Sequence, residues 1–501
     1  MIKLTMLPVL FSAGSTVAFA QGLNNWWLTG YYSYTEPLFG GAVVQFSDLD
    51  EPSVGSHPRE MNFSTTAANI SDANGVLQFY TNGVYIADEN DSPMPNGEGL
   101  NPSFYTTSQE FYGLSGSQLN FTLCAFSNGL LPLIHSTPDS YNSMGLLVTE
   151  SIYRTTIEMS LNYGYGDVLV KNEVLFNEDL EPGGLASIRH ANGRDWWVIT
   201  HGSASDEFVS FLITPDSVLG PYHQQIGVQR GGYGPMGIFS PDGTRFAYVD
   251  GYYGLDLFSF DRCTGSLSDH LHIPLAGSVG SRGNAFSPNG NVLYVTEGEK
   301  VYQYDLTAPN IAASRITVAE WDGFYDTHPV FSTLFWIARL APDGKIYIST
   351  SNGTRYLHVI HQPDVLGIGC DLEQRGVTLP TYNANSIPYH PNYWLGPVDG
   401  SPCDTLGLNT TVAANSLEGG LNVSIHPNPS TGTFTLGYPA QAVSGELEVL
   451  DMAGRVLHRQ RLAPWSTQQR LELPGCSAGM YHCRLRWQDR TATTRLVIHS
   501  D

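Results

Sequence analysis

A short turn-and-strand motif recurs along this chain and restricts its fold more than any other feature. The clearest copy, at residues 239–250, reads FSPDGTRFAYVD: a strand end, a Pro-Asp-Gly turn and a strand of apolar and aromatic residues. Proline presets φ for the turn, Asp or Asn tolerates its unusual dihedral angles, and Gly takes the position of positive φ before the next strand. Related copies start near residues 70, 189, 286 and 340. Such a repeat predicts an architecture and says nothing direct about a reaction.

The spacing of the motif predicts a β-propeller. The turn glycines recur about every 50 residues, with short paired strands between them, which is the pattern of propeller blades. These glycines are Gly75, Gly129, Gly193, Gly243, Gly290 and Gly344. Six units are visible, and we favour seven blades over six. The seventh is assembled from Val377 to Leu379, Asn392 to Leu395 and the strand at Trp26, so that the two chain ends close the ring and hide the sheet edges.

Composition supports an all-β chain with a second, smaller domain. Of the 501 residues, 42% are apolar and 14% charged, with 52 Gly and 30 Pro, which suits many short strands joined by turns. We place the propeller at 21–400 and a linker rich in Ser, Asn, Thr and Gly at 401–422. Residues 423–501 alternate strands and turns, and predict a small antiparallel β-sandwich.

The first 20 residues predict a secretory signal peptide. One basic residue, Lys3, precedes an apolar run and the small residues Ala18-Phe19-Ala20. The run is too short for a spanning helix, which needs about 20 apolar residues, and no later segment reaches that length. We therefore expect a protein without a transmembrane segment that is exported through the periplasm.

The charge of the chain excludes two classes of partner. The net charge is −23, and the excess of acidic residues lies before residue 423. An acidic body repels nucleic acid and anionic membrane surfaces. Solubility outside the cell is the simplest explanation of the acidity.

Cysteines in an exported chain are free to form disulfides. Six are present, and six cysteines allow fifteen pairings. We expect Cys370 and Cys403 to tie the end of the large domain, and Cys476 and Cys483 to bridge neighbouring strands of the small one.

The propeller region resembles a known family. The phrases ISDANGVLQFYTNGVYIADENDSPMPNG at 70–97 and RHANGRDWWVITH at 189–201, the Pro-Asp-Gly or Pro-Asn-Gly turns, and CDTLGL at 403–408 resemble secreted WD40/YVTN-like propeller proteins of bacteria that use type IX secretion. The similarity covers about 21–408. It implies a propeller fold, and that family has no defined activity to carry over.

The C-terminal region resembles the type A sorting domain of type IX secretion substrates. The opening PNPSTG, the hairpin LEVLDMAGRVL, the step SAGMY and the last strand RLVIH follow that family's order. The resemblance implies handling by the type IX secretion machinery, followed by release or attachment to the outer surface of the outer membrane. The final His-Ser-Asp and the Cys476/Cys483 pair depart from the family's pattern. The positions that match its motif are Pro427, Asn428, Pro429, Gly432, Gly454, Gly479 and Tyr481.

A search for catalytic and metal-binding motifs finds none. The chain lacks a nucleophile elbow, the metalloprotease HExxH motif, a P-loop and a dinucleotide-binding fingerprint. No cysteine or histidine spacing indicates zinc, and the acidic groups near residues 48–51 and 88–91 lack the spacing of a calcium loop. We therefore predict no catalytic residue, no metal site and no cofactor.

Exposed aromatic loops give the remaining functional signal. Aromatic side chains at loop tips form platforms for sugars or peptides, and we place a candidate binding face at Tyr252 and Tyr253. The first hypothesis is a secreted or surface propeller that binds an extracellular protein or glycan, without enzymatic activity. The alternative is an extracellular hydrolase or lyase acting on a polysaccharide or peptide, with carboxylates in the central channel, because propellers host both classes. Carboxylates converging with a His or Arg at the channel mouth would favour the alternative.

Overall fold

The computed structural model describes most of the chain between residues 22 and 499. The residues inside this range that it does not describe are 32–37, 47–50, 73–74, 117, 125, 127–128, 144, 146, 232–233, 276–282, 327–329, 405, 407–422, 427, 440, 442, 453, 467, 474–475 and 488–489. The predicted signal peptide at 1–20 and most of the predicted linker lie outside the described residues.

Strands dominate the described residues, which confirms the all-β prediction. Those of the large domain are β1 (Trp26–Thr29), β2 (Ala42–Gln45), β3 (Ser53–Ser56), β4 (Ala68–Ser71), β5 (Leu77–Thr81), β6 (Tyr85–Asp88), β7 (Pro93–Glu98), β8 (Asn120–Thr122), β9 (Leu130–Ser136), β10 (Ser140–Tyr141), β11 (Leu147–Glu158), β12 (Asp167–Leu180), β13 (Ala186–Arg189), β14 (Trp196–His201), β15 (Ser205–Ile213), β16 (Val218–Arg230), β17 (Met236–Phe239), β18 (Arg245–Asp250), β19 (Gly254–Asp261), β20 (Ser266–Ile273), β21 (Asn284–Phe286), β22 (Val292–Glu297), β23 (Lys300–Asp305), β24 (Ile316–Glu320), β25 (Phe335–Leu340), β26 (Ile346–Thr350), β27 (Thr354–Ile360) and β28 (Leu372–Asn383). One short helix, α1 (Phe104–Ser108), and 3₁₀ turns at Asn162–Gly164, Ala312–Ser314 and Gly367–Cys370 lie between them.

The recurring turn makes the bends that its residue types predict. Between β17 and β18, the Asp242 carboxylate accepts hydrogen bonds from the Thr244 backbone N–H and the Thr244 hydroxyl. Gly243 has φ of +73°, a conformation that other residues rarely adopt, and its N–H donates to the Ser240 carbonyl. The turn therefore ends one strand and starts the next in antiparallel register, with Phe239 opposite Phe246.

Seven sheets follow one another in the described part of residues 26–383. The first holds β1–β2–β3, and the third joins β8, β9, β11 and β12 with the short β10 at its side. The other five are meanders of four strands: β4 to β7, β13 to β16, β17 to β20, β21 to β24 and β25 to β28. Innermost strands of successive sheets pack together, and β28 of the seventh sheet packs against β2 and β3 of the first. The sheets thus form the ring of a β-propeller, with a large apolar core between them.

Each four-stranded meander returns to the end of the ring at which it started. One end, here called the crossover end, carries the connections between successive sheets and the turn 251–253. The opposite end, here called the turn end, carries the Pro-Asp-Gly and Pro-Asn-Gly turns. The register fixes this assignment, because Met236, Val249, Leu255 and Ile273 share one level of the fifth sheet.

Residues 384–395 pass through the central channel from the crossover end to the turn end. At the start, the Asn385 amide oxygen accepts a hydrogen bond from Thr65; midway, the Tyr389 hydroxyl accepts one from the Ser187 N–H; at the end, the Tyr393 hydroxyl donates to the Thr122 carbonyl. The Asn392 amide then donates to the carbonyl of Pro241 in the turn end. A segment of the chain itself therefore occupies the channel.

The predicted composition of a closing blade was wrong in detail. Val377 to Leu379 belong to β28, and Asn392 to Leu395 form no strand of a propeller sheet. The strand at Trp26 pairs with β2, from Trp26 opposite Gln45 to Thr29 opposite Ala42. Segment 384–395 is held by side-chain hydrogen bonds to several sheets, and it forms no backbone ladder with a propeller sheet.

The disulfide prediction was also wrong. Cys403 is bonded to Cys263, with 5.5 Å between their Cα atoms, and Cys370, Cys476 and Cys483 are free thiols. The chain leaves the channel beside the turn between β19 and β20, which holds Cys263 and where Arg262 donates to the Gly396 carbonyl. Cys403 therefore lies beside Cys263, although the two are distant in sequence.

The other three cysteines of the predicted pairs form no disulfide. Cys370 is fully buried in a 3₁₀ turn beside the seventh sheet. Cys483 points into the core of the small domain from within a strand, whereas Cys476 lies in the loop before that strand.

The small domain is an antiparallel β-sandwich, as predicted. Its strands are β29 (Ser424–His426), β30 (Thr433–Gly437), β31 (Gly445–Leu450), β32 (Val456–Leu462), β33 (Gln468–Glu472), β34 (Gly479–Trp487) and β35 (Arg490–Ile498). They form the sheets β29–β30–β33 and β32–β31–β34–β35 around one apolar core. Within the described residues, no helix has the length and apolar character needed to cross a membrane.

Candidate functional site

The crossover end carries many exposed aromatic side chains. They lie in the connections between sheets, in the short strand β10 of the third sheet and in the tight turn of the fifth sheet. Each is more than a third exposed: Phe104, Phe111, Tyr112, Tyr141, Tyr252, Tyr253, Phe324, Tyr325 and Phe331. The rings of Phe104 and Tyr141 stack nearly parallel, with 5.7 Å between their centroids. A ring face that remains open beside such a pair is a surface on which a flat apolar ligand packs.

The predicted binding residues Tyr252 and Tyr253 lie on this end, in the turn between β18 and β19. Their exposed fractions are 53% and 37%. One Asp250 carboxylate oxygen, Oδ1, accepts hydrogen bonds from both backbone N–H groups, at 2.8 Å from Tyr252 and 2.6 Å from Tyr253. This carboxylate fixes the backbone of the turn, so the two phenol rings are presented from a rigid base.

A buried charge network lies directly beneath that turn. Arg230, at the end of β16, donates from Nη1 to Asp250 Oδ2 at 2.6 Å and from Nη2 to Asp256 Oδ2. All three side chains are at most 2% exposed. The guanidinium also lies over the ring of Tyr248, 5.0 Å from its centroid. Arg230 thus joins the fourth sheet to the fifth, and a buried cation of this kind is tolerated only because carboxylates pair with it.

Two histidines of β20 complete the network. His270 Nε2 and His272 Nδ1 each lie 2.8 Å from the other oxygen of Asp256, Oδ1. Side chains two positions apart on a strand point the same way, which places both imidazoles on the face of Asp256. Burial, and then the charge of Arg230, lower the pKa of both His270 and His272 below the ordinary value. Both rings are therefore neutral near pH 7 and donate N–H hydrogen bonds to Asp256.

Our search for motifs missed these residues. The signal was the His-x-His pattern at 270–272, inside a segment whose alternation indicates a strand. The sequence does not reveal Asp256 and Arg230 as their neighbours, because one lies on the preceding strand and the other on a different sheet.

A cavity of about 170 Å³ opens at the turn end of the channel. Its walls are the ends of innermost strands and the channel segment 388–394, and Ala463 and Pro464 of the sandwich also line it. Among the described residues that line it, Arg339 and His390 are the titratable groups of His or Arg type, and none is an Asp or Glu. The guanidinium of Arg339 packs against the ring of Tyr389, 5.4 Å from its centroid.

The sandwich contacts the propeller at this cavity. Ser466 forms an isolated β-bridge with Leu395, at the point where the chain leaves the channel. Trp465 packs on an apolar cluster between the fourth and fifth sheets. The loop 463–466 therefore covers part of the turn end.

The motif that opens the sandwich ties it to the last strand. The Asn428 amide donates to the Arg495 carbonyl, and its oxygen accepts from the Val497 N–H, both at 2.8 Å. Next to it, Ser430 forms a parallel bridge with Ile498. Pro427 lies outside the described residues, and Pro429 is exposed.

The other motif positions have separate structural roles. Gly432 and Gly454 have φ of +108° and +80°, which explains glycine at both turns. Tyr481 is buried, and its hydroxyl donates to the Ser477 carbonyl at 2.6 Å. Gly479 begins β34 in an exposed position, and nothing in the structure explains a glycine there.

The propeller and the C-terminal sandwich are similar to different known proteins. Residues 424–499 match the model of the secretion system C-terminal sorting domain. No curated protein matches the chain. Among solved structures, a candidate 6-phosphogluconolactonase from Bacteroides fragilis is similar with 15% identity and a TM-score of 0.43, over 72% of this chain and 96% of that one.

Two further solved structures are similar at lower scores. The Dos1 propeller has 12% identity and a TM-score of 0.35, over 62% of this chain and 69% of its own. PorZ, an essential surface component of the type-IX secretion system of Porphyromonas gingivalis, has 12% identity and a TM-score of 0.27, over 92% and 68%. The chain is thus a β-propeller followed by a secretion-system C-terminal sorting domain, which indicates export across the outer membrane by type IX secretion, to the cell surface or the medium.

Proposed function

We propose that this protein is an exported, non-enzymatic binding module whose crossover end holds an extracellular protein or glycan. The observation that carries the proposal is the set of exposed aromatic side chains gathered on that end. The signal peptide at 1–20 takes the chain to the periplasm, and the sorting domain directs it onward through the type IX machinery.

The physical chemistry of the crossover end suits a ligand with flat apolar faces and polar edges. An exposed tyrosine offers an apolar ring together with a hydroxyl, and such residues dominate the energetics of many binding surfaces. Asp250 fixes the backbone of Tyr252 and Tyr253, and both rings stay partly accessible to a ligand. The Tyr253 ring also lies 6.0 Å from the Arg230 guanidinium. Little conformational entropy is lost when such a surface binds a ligand.

The channel supports binding over hydrolysis. Residues 384–395 fill the space in which the alternative hypothesis placed catalytic carboxylates. The cavity that remains at the turn end has no carboxylate among its described lining residues. A pair of carboxylates flanking the scissile bond is the usual requirement for hydrolysis of a glycan.

The test uses two ligand arrays, one of glycans and one of extracellular proteins of the host, probed with the purified full chain. We expect a ligand in one of them, with affinity lowered about tenfold or more in the double variant Tyr252→Ala/Tyr253→Ala. The matched control is Tyr163→Ala, which removes a tyrosine that is 99% exposed in the hairpin between β11 and β12.

The outcomes separate the hypotheses. Retained affinity in the double variant, or equal loss in the control, would show that the ligand binds elsewhere. Release of cleaved products from an array member would instead support the hydrolase or lyase.

A further inference from the structure

The group of side chains beside the Tyr252–Tyr253 turn has the composition of a metal site. One ligand atom from each of Asp256, His270 and His272 lies within 4.8 Å of the other two. In the register of the fifth sheet, Asp256 stands directly opposite His272. The ring of His270 stacks on Phe258, with 5.0 Å between centroids, which restricts its rotation. Three donors are therefore held on one face of a two-strand ladder.

The charges of the group leave room for a cation. The one guanidinium of Arg230 is paired with two carboxylates, those of Asp250 and Asp256. The buried network thus has a net negative charge at the side where the histidines face solvent.

We propose that Asp256 Oδ1, His270 Nε2 and His272 Nδ1 bind one divalent transition-metal ion of the zinc type. Two imidazoles with one carboxylate form a donor set that zinc accepts in proteins, and a fourth position remains for water or a ligand. The imidazole side chains are 23% and 27% exposed, so that position faces solvent.

The two distances from Asp256 to the histidines need only a small adjustment. The two N–O distances are 2.8 Å, and ligand atoms of a tetrahedral zinc site stand about 3.3 Å apart. Rotation of the two imidazoles supplies the difference of about half an ångström. Arg230 holds the second oxygen of Asp256, so the carboxylate keeps its orientation as the partners that surround metal ligands usually do.

Binding requires both rings to change tautomer and releases no net proton from them. At present, the nitrogens that face Asp256 carry the hydrogens that they donate. With the ion bound, those nitrogens give their lone pairs to the metal, and each proton moves to the other ring nitrogen. That second nitrogen is His270 Nδ1 or His272 Nε2, on rings that remain partly open to water.

The test measures metal binding by the full chain, purified without an affinity tag and freed of metal by a chelator. Titration with Co²⁺ is followed by visible absorption and by calorimetry, and Zn²⁺ is then added as a competitor. We expect one Co²⁺ per chain with the intense bands of tetrahedral coordination, displaced by one Zn²⁺. In His270→Gln/His272→Gln, we expect at least about a hundredfold loss of affinity.

His361→Gln is the matched control, because the partly exposed ring of His361 also bonds a carboxylate, that of Glu373, at 3.0 Å. Among the described residues, His361 belongs to no group of three side chains that could hold a metal ion. This variant should bind Co²⁺ as the wild type does. Equal binding by the double variant, or no saturable binding by the wild type, overturns the proposal and leaves the group as a hydrogen-bond network.

A second measurement removes any dependence on the folding of the variants. X-ray absorption at the zinc edge of the loaded wild type should show two imidazole ligands and otherwise oxygen. Sulfur in the coordination shell would place the ion on the free cysteines instead and refute the site.

Discussion

Buried histidines set the acid sensitivity of individual positions in the propeller. Burial lowers the pKa of His135, His201, His358 and His390 to about 3 each. His135 shows how the neutral form is held: its Nδ1–H donates to the Asn101 amide oxygen, and Nε2 accepts from the Thr155 hydroxyl, both at 2.8 Å. Protonation would place a positive charge on a ring that is fully buried.

The sign of the pH effect follows from these depressed pKa values. Below about pH 6.5 these histidines become protonated in the unfolded chain, whereas they stay neutral in the folded chain. They therefore do not lower the unfolding free energy above that pH, but the unfolding free energy decreases as the pH falls toward 3. Within this range, each such histidine lowers the unfolding free energy by about 1.4 kcal/mol for every unit by which the pH falls.

We expect His135→Gln to reduce the slope of unfolding free energy against pH by about this amount between pH 6 and 4, as measured by urea denaturation. Thr155→Val is the control, because it removes a hydrogen bond from the same ring without removing a titrating group. Thr155→Val should lower the unfolding free energy at every pH and leave the slope of unfolding free energy against pH unchanged. An unchanged slope in His135→Gln would mean that His135 is protonated in the fold.

At the scale of elements, the final strand of the sandwich depends on the motif that opens the domain. Asn428 is exposed, yet both polar atoms of its side chain bond to the backbone of β35. The Asn428 side chain therefore bonds the backbone of β35 as a neighbouring strand would.

We expect Asn428→Ala to destabilise the pairing of β35 by about 1 kcal/mol and to speed amide exchange at 490–498 about fivefold. Hydrogen exchange with mass spectrometry measures this directly. Arg495→Ala is the control, since it removes an exposed side chain of β35 but keeps the carbonyl that Asn428 uses. Faster exchange in both variants alike would assign the effect to the strand itself.

The elements were predictable where local chemistry decides them. The Pro-Asp-Gly turn at 241–243 and the strands around it follow from φ preferences and alternation. The Cys263–Cys403 pair and the Arg230–Asp256–His270 group were not predictable, because each depends on which distant segments meet. Segment 384–395 escaped prediction for a related reason: side-chain hydrogen bonds hold it, and these leave no periodic pattern.

At the scale of the whole molecule, the Cys263–Cys403 disulfide holds the end of the channel segment to the fifth sheet. The bond closes a loop with a sequence separation of 140 residues, which contains most of the last three sheets. Its contribution through the entropy of the unfolded chain is therefore large, about 5 kcal/mol for a loop of that length.

Replacement of Cys403 by Ser should lower the unfolding free energy of the propeller by up to this amount, as measured by urea denaturation. Cys263→Ser should give the same loss, and the double variant should add nothing to it. The control is Cys476→Ala, which removes a free, half-buried thiol of the sandwich. A smaller loss in the double variant than in either single one would point to damage by the unpaired thiol.

The disulfide also decides where tension goes when something pulls on the C-terminal end. A load applied beyond residue 403 reaches the turn between β19 and β20 through a covalent bond before it reaches β28. The disulfide therefore takes up the load before it can separate the last strands from the ring. Traction on the sorting domain can therefore drag the ring as one piece, without drawing residues 384–395 out of its centre.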